Sequence, residues 1–360
     1  MESNRTVRFL AIVTIAATFA TVASAQWQIE NAEKKQSLKF GLLAQGRADF
    51  TETVLDGEDI TQQDLYLRRL RILMGGTFGD RWSFFLETDN PNLGKADSTG
   101  KKGASDIYIQ DAVLTYSWKD NHHVDVGMLL CNGSHNMMQG ATTLLPVDYG
   151  PYSFVSSTPM DLRVGRDYGV RARGYPLDKH LEYRVEVLQG NRSEPNRPLR
   201  TTGRVVWYPF EAETGLFYSG TNFGKKKLLA IGATYDTQSD YDLMAADVYW
   251  DWPIGKNGLT LQADWITEDG GDVAPSLTEQ DLMLVEGAFH FNGIKLSPFV
   301  QYQDRNFDDD ATADQSTYQV GLAWWWKGHN RNLKVGWGQS ESDGGDSYDS
   351  LQVQLQVLQF

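Results

Sequence analysis

A single cysteine, Cys131, stands in 360 residues. No disulfide can close within the chain, and no zinc site built from cysteines is possible. Cys131 does not follow the amino-terminal apolar segment, so it is not the acylated first residue of a lipoprotein, and its expected role is a small wall residue. Long apolar runs are equally scarce. The one helix-length candidate, Phe9 to about Ala20, follows Arg5 and Arg8 and precedes the small residues Ala23-Ser24-Ala25. That is the three-part pattern of a secretory signal, and it falls short of the ~20 apolar residues a spanning helix needs. Positive charge is also sparse: 33 Lys and Arg against 47 Asp and Glu leave a net charge of −14. A nucleic-acid partner, which calls for a basic patch, is excluded on that ground.

What the chain has in quantity is alternation. Leu351, Val353, Leu355 and Val357 interleave with Gln352, Gln354 and Gln356, and in an extended strand this puts one greasy and one wet face on opposite sides. Met244, Ala246, Val248, Trp250 and Trp252 interleave in the same way with Ala245, Asp247, Tyr249 and Asp251. Such stretches recur along the chain between turn residues, as at Gly79-Asp80-Arg81 and Asn292-Gly293. No helical periodicity competes, and no solenoid repeat of fixed length is present. Hydrophobic residues make up only 41% of the chain while aromatics reach 12%, with Trp207, Tyr208, Trp250, Trp252 and Trp324 to Trp326 at strand ends. A barrel that needs apolar residues only on its outer face, with aromatic girdles at both interfaces, accounts for both values. The segmentation predicts an all-β fold: a transmembrane antiparallel β-barrel of 16 strands in which short turns alternate with longer loops. A short extended piece is also expected at Leu216 to Ser219. Residues 1–25 are expected to be a cleaved signal peptide, 26–36 a periplasmic lead-in and 37–360 the outer-membrane barrel.

The stretch Leu65 to Asn92, with its arginine-rich strand (Arg68, Arg69, Arg71), Gly-Asp turn and aromatic return strand, resembles the second hairpin of the phosphate-selective porin O and P family. Gly165 to Arg171, Gly220 to Lys227 and the closing Phe360 are similar to the same family. The resemblance implies a sixteen-stranded channel, a homotrimer in the lipid bilayer of the outer membrane, with its third long loop folded into the bore. In the family the last strand's apolar residues keep phase with the terminal aromatic. Here Leu358 and Phe360 fall in the opposite phase to Leu351 through Val357, which predicts a bulge near Val357.

Candidate site residues follow from the alternation. Arg171, Arg173, Arg184 and Arg204 lie between apolar neighbours and are expected to line a pore; Asp247, Asp251, Asp264 and Glu286 do the same on later strands, so opposite signs should gather on different arcs. Arg68, Arg69 and Arg71 cannot all face one way on a regular strand, and at least one should sit at an interface or a bulge. The connection Asn132 to Leu162, 31 residues, is far beyond ordinary loop lengths and offers His135, Asp148, Tyr149, Tyr152 and Asp161 to a constriction. It contains no Lys and no Arg, which argues against tight phosphate capture, since a desolvated anion must recover its hydration from charge-assisted donors. The expected function is passive diffusion of small hydrophilic solutes or ions with weak selectivity, the alternative being a phosphate or anion channel. No cofactor, metal or catalytic residue is expected: His122, His123, His180 and His329 fall beside short turns, and His135 next to Ser134 is not a triad.

Overall fold

Period-two alternation becomes a closed sheet in the computed structural model, which describes residues 27–55, 58–97, 100–102, 106–309, 311–345 and 347–360. The predicted signal peptide lies outside the described residues. We number the barrel strands in chain order. The first eight are β1 (Gln36–Leu55), β2 (Glu58–Phe78), β3 (Trp82–Asp89), β4 (Tyr108–Lys119), β5 (His122–Leu130), β6 (Arg166–Gly174), β7 (Leu181–Leu188) and β8 (Arg200–Trp207). The second eight are β9 (Leu228–Gln238), β10 (Tyr241–Ile254), β11 (Asn257–Asp269), β12 (Gln280–His290), β13 (Leu296–Phe307), β14 (Gln315–Trp324), β15 (Arg331–Ser342) and β16 (Tyr348–Gln359). Each pairs antiparallel with the next, and β16 closes on β1 from Ser350↔Thr51 to Gln359↔Leu42. The expected sixteen strands and their closure are what the structure holds. A further short strand, Trp27–Asn31, pairs with the beginning of β1.

The faces sort as the pattern requires. On β10, Met244, Ala246 and Val248 point outward while Ala245, Asp247, Tyr249 and Asp251 are buried inside. A lipid-facing exterior with polar residues turned inward is the arrangement a spanning barrel needs, because a charge on the lipid side at mid-membrane costs roughly 2–4 kcal/mol. Strands β1 and β2, 20 and 21 residues long, are about twice the ~9–11 residues that cross a bilayer, so their hairpin projects past the rim. The end of the barrel that carries the 79–81 turn also carries the beginning of β1 and the end of β16; by the rule of short periplasmic turns, it is the periplasmic end.

Two expectations change. The register of β16 runs unbroken through Val357 against both neighbours, so no bulge forms there. The phase is kept instead, and Phe360 turns to the lumen side. Its ring covers Gly41 and Gly75, where a Cβ would meet it at 2.6 and 3.2 Å, and lies edge-on to Phe85 at 6.1 Å. Phe85 in turn meets Phe217 at 5.6 Å, so an apolar partner inside the periplasmic mouth removes the need for a phase change. The second correction is Leu216 to Ser219, which is not a strand. It belongs to a twenty-residue periplasmic connection, 208–227, that folds into the barrel and touches the loop descending from the other side.

Candidate functional site: a lumen narrowed from both ends

The connection between β5 and β6, the third long loop, folds inward as expected. What fixes it is a row of wall donors aimed at its backbone carbonyls. Gln45 of β1 donates to Ala141 O (3.2 Å) and Gln356 of β16 to Thr142 O (2.9 Å). Lys334 of β15 donates to Leu144 O and Pro146 O (2.5 and 2.7 Å), and Arg47 with Gln354 to Val147 O (3.1 and 3.2 Å). A loop inside a barrel has no ladder partner for its carbonyls, and an unpaired buried carbonyl is costly. Side chains of β1, β15 and β16 supply the missing donors across the closing seam.

At the end of this row stands Asp148. Its carboxylate accepts from Arg47 Nη2 (2.8 Å), Arg68 Nε (2.8 Å) and Arg69 Nη2 (2.7 Å). Burial alone would raise its pKa, but Arg68, Arg69 and Arg47 together hold the carboxyl well below the usual range. The two adjacent arginines reach one group because of a bulge: Gln45 pairs with Arg69 and Gly46 with Leu67, leaving Arg68 as the extra residue. A bulge re-aims a side chain in this way, and it settles how consecutive arginines both avoid the lipid face. Arg71 is turned away from the group to Glu87 and to Asp89 (2.8 Å).

Beside Asp148 opens a cavity of about 430 Å³, whose lining includes four cations, Arg47, Arg68, Arg69 and Lys95, and two carboxylates, Asp49 and Asp148. Arg68 and Lys95 keep 23% and 39% of their side chains accessible, with Lys95 Nζ 3.7 Å from Asp49 Oδ2, while Arg47 and Arg69 are buried. Gln301, Gln319 and Gln352 complete its wall.

The chain is similar in fold to OmpF of Salmonella typhi, solved in complex with daunomycin, at 14% identity over 92% of this chain and 100% of that one, with a TM-score of 0.63. The outer membrane channel DcaP of Acinetobacter baumannii is similar at 13% identity over 92% of this chain and 99% of that one, with a TM-score of 0.59. An anion-selective porin from Comamonas acidovorans aligns at 10% identity over 90% and 99% of the two chains, with a TM-score of 0.60. No curated protein matches the chain. The sequence profile of the phosphate-selective porin O and P family matches residues 40–246, more than half of the chain. The chain belongs to that family. As a porin it is a channel of the bacterial outer membrane.

Within this porin the eight predicted wall residues, four arginines and four carboxylates, fall on a different arc, and all eight are buried. Arg171 pairs with Asp125 (3.0 Å) and Glu186 (3.1 Å), and Arg173 with the same Asp125 (2.7 Å). Arg184 pairs with Glu182 and also donates to Gly215 O and Leu216 O (both 3.0 Å). Arg204 holds Asp247 (2.6 Å) and donates to Gly133 O (2.9 Å). Thus Arg204 and Asp247 meet rather than stand on separate arcs. Asp264 accepts the Asn136 N–H (2.9 Å), Asp251 those of Asn222 and Gly224 (2.8 and 2.7 Å), and Glu286 a Gln301 amide (3.0 Å).

The lid over this arc is where the two inserted segments meet. Gln139 and Tyr218 form a parallel bridge, and His135 is stacked between Tyr218 (4.9 Å) and Tyr249 (4.1 Å) while bonding Glu213 at 3.0 Å. Burial lowers the affinity of His135 for a proton, yet the Glu213 contact prevails and its pKa is raised. Tyr149 donates to Gln139 O (2.7 Å), and the Tyr152 N–H donates to Gln303 (2.8 Å). Asp161 is exposed near the loop's outer end. Sequence reasoning missed Arg47, Lys95 and Lys334. The glutamines of β16 were visible as a wet face, but their partners, carbonyls some two hundred residues away, carry no side-chain signal.

Proposed function

We propose that this porin passes small hydrophilic solutes by passive diffusion along the seam side of the barrel, between β13–β16 and β1–β2, with a modest preference for anions. One observation carries the reading: four cations against two carboxylates around the cavity beside Asp148, with Arg68 and Lys95 partly accessible. On the covered arc, the predicted arginines are engaged by carboxylates. The stretch from Asn132 to Leu162 brings no lysine or arginine of its own, and Arg163 at the loop's end lies over the Tyr108 ring, so the wall supplies the attraction. This suits weak selectivity, because conduction needs sites that an ion can leave. The anion-selective porin from Comamonas acidovorans, similar in fold, is a parallel for this preference. A cleaved signal at residues 1–25 and homotrimeric assembly complete the proposal, the latter checked by the mass of the detergent-solubilised, unheated protein.

Reversal potentials across a KCl gradient in planar bilayers test the selectivity. Anion preference is expected, weakened by Arg68→Gln with Lys95→Gln. A cation-preferring wild type would refute it.

A further inference from the structure

Asp148 sits where a permeating anion would have to bind. Both of its oxygens are used: Oδ2 by Arg47 and Arg68, Oδ1 by Arg69 and by the Tyr149 N–H at 3.1 Å. A carboxylate that accepts from three guanidiniums has the donor demands of a free oxyanion, since planar N–H forks match carboxylate and phosphate alike. The arginines are also pre-set for such a ligand by the wall. Arg47 is held by Gln354 through Nε (3.1 Å) and Nη2 (2.7 Å), and Arg69 by Gln45 through Nη1 (2.9 Å). Donors fixed in advance bind without further ordering cost. The site therefore has the makings of a strong oxyanion trap, and the chain fills it with its own carboxylate.

We infer that Asp148 is the specificity-determining residue of the constriction, a tethered carboxylate that occupies the arginine donors and keeps the porin's affinity for permeating oxyanions low. The inference rests on the anion-preferring path proposed above. Its logic is that of any conducting site: attraction brings the ion in, and occupancy that is too strong stops it leaving. Asp148 subtracts one charge from three and competes from within, at an effective concentration no free solute matches. The loop does not depend on this one contact for its seat, because Gln45, Gln356, Gln354 and Lys334 hold its carbonyls independently. Removing the carboxylate should then vacate the donors and leave the loop in place.

The test is chloride conductance of single channels titrated with inorganic phosphate at fixed ionic strength, for wild type, Asp148→Asn and Asp148→Ser. Either variant suffices once it runs as a folded, heat-modifiable barrel. The expected result is phosphate block at a concentration at least roughly tenfold lower, as vacated charge-assisted bonds imply. Adding Arg47→Gln to Asp148→Asn should return most of that block to the wild-type range. A rise in conductance without stronger block would make Asp148 a loop staple and overturn the inference, as would no change in either quantity. The wild-type reversal potential separates the two readings: anion preference with unchanged block in the variants sinks only the role of Asp148, whereas cation preference sinks the underlying path.

Discussion

The two sides of the lumen solve the problem of inward-facing charge in opposite ways. On the arc from β5 to β12, Arg171, Arg173, Arg184 and Arg204 meet Asp125, Glu186, Glu182 and Asp247, and the two inserted segments lie over them. On the seam side, the carboxylate of Asp148 faces three arginines, and space remains beside it. A charge removed from water needs a partner with good geometry, so the paired arc tolerates being covered. The seam arc keeps surplus charge where water and solute can reach it. Position on an inward face thus does not decide whether a residue meets the permeating solute. The identity of what lies over it does.

The largest effect is expected from removing what divides the two sides. Deleting Gly140 to Ser156 takes away the stretch that Gln45, Lys334, Arg47 and Gln356 hold, and single-channel conductance should show its largest increase of any change considered, on the order of twofold or more if pore width governs passage. An unchanged conductance in a folded variant would mean that the loop does not narrow the path.

A smaller but still large effect is expected in stability on the covered arc. Arg204→Leu leaves Asp247 buried without its cation and should cost about 3–5 kcal/mol in reversible unfolding, while Arg204→Leu combined with Asp247→Leu should recover much of it. Equal losses in the single and double variants would argue that the pair is not the unit being broken. In the same assay Arg68→Gln, which leaves Arg47 and Arg69 on Asp148 at a partly accessible pair, should cost less than Arg204→Leu. Selectivity should rank the variants the other way, with a shift of reversal potential toward cations for Arg68→Gln and a lesser one for the Arg204–Asp247 double replacement.

The mildest contrast is with pH. Asp148 has its pKa depressed, so its contribution is present above the ordinary carboxylate value of ~3.9 and is lost only as pH falls through the lower folded value. The seam-side anchor should therefore persist from neutral pH to about 4. His135 is the reverse case, with its pKa raised beside Glu213. Its contribution is complete below the ordinary histidine value of ~6.5 and fades as pH rises through the folded value. Open-channel noise should increase modestly on the alkaline side in wild type and lose that dependence in His135→Gln. A wild-type response confined to acid would assign the titration elsewhere.

Much was legible in the order of residues because a barrel strand carries its own instructions. Side chains alternate with period two, a charge cannot face lipid, and turns are marked by residues such as Gly79, whose φ of +65° suits a residue without a Cβ. Strand number, closure and the faces of β10 and β11 follow from such local rules, while the inward third loop was signalled by its length and by the family resemblance. The same rules placed Arg171, Arg173, Arg184 and Arg204 on inward faces. What they could not supply was partnership across the lumen. The bulge that sends Arg68 and Arg69 to one carboxylate, the lysine at 334 that binds two loop carbonyls, and the periplasmic segment that rises to meet Gln139 each depend on residues far apart in the chain. Phe360 shows the same division: its apolar character and position were plain, yet only the arrival of Phe217 beside Phe85 gave it an apolar site inside the mouth. Local alternation fixes which way a side chain points, whereas the contacts it finds there are set by how the sheet closes and what the loops bring into it.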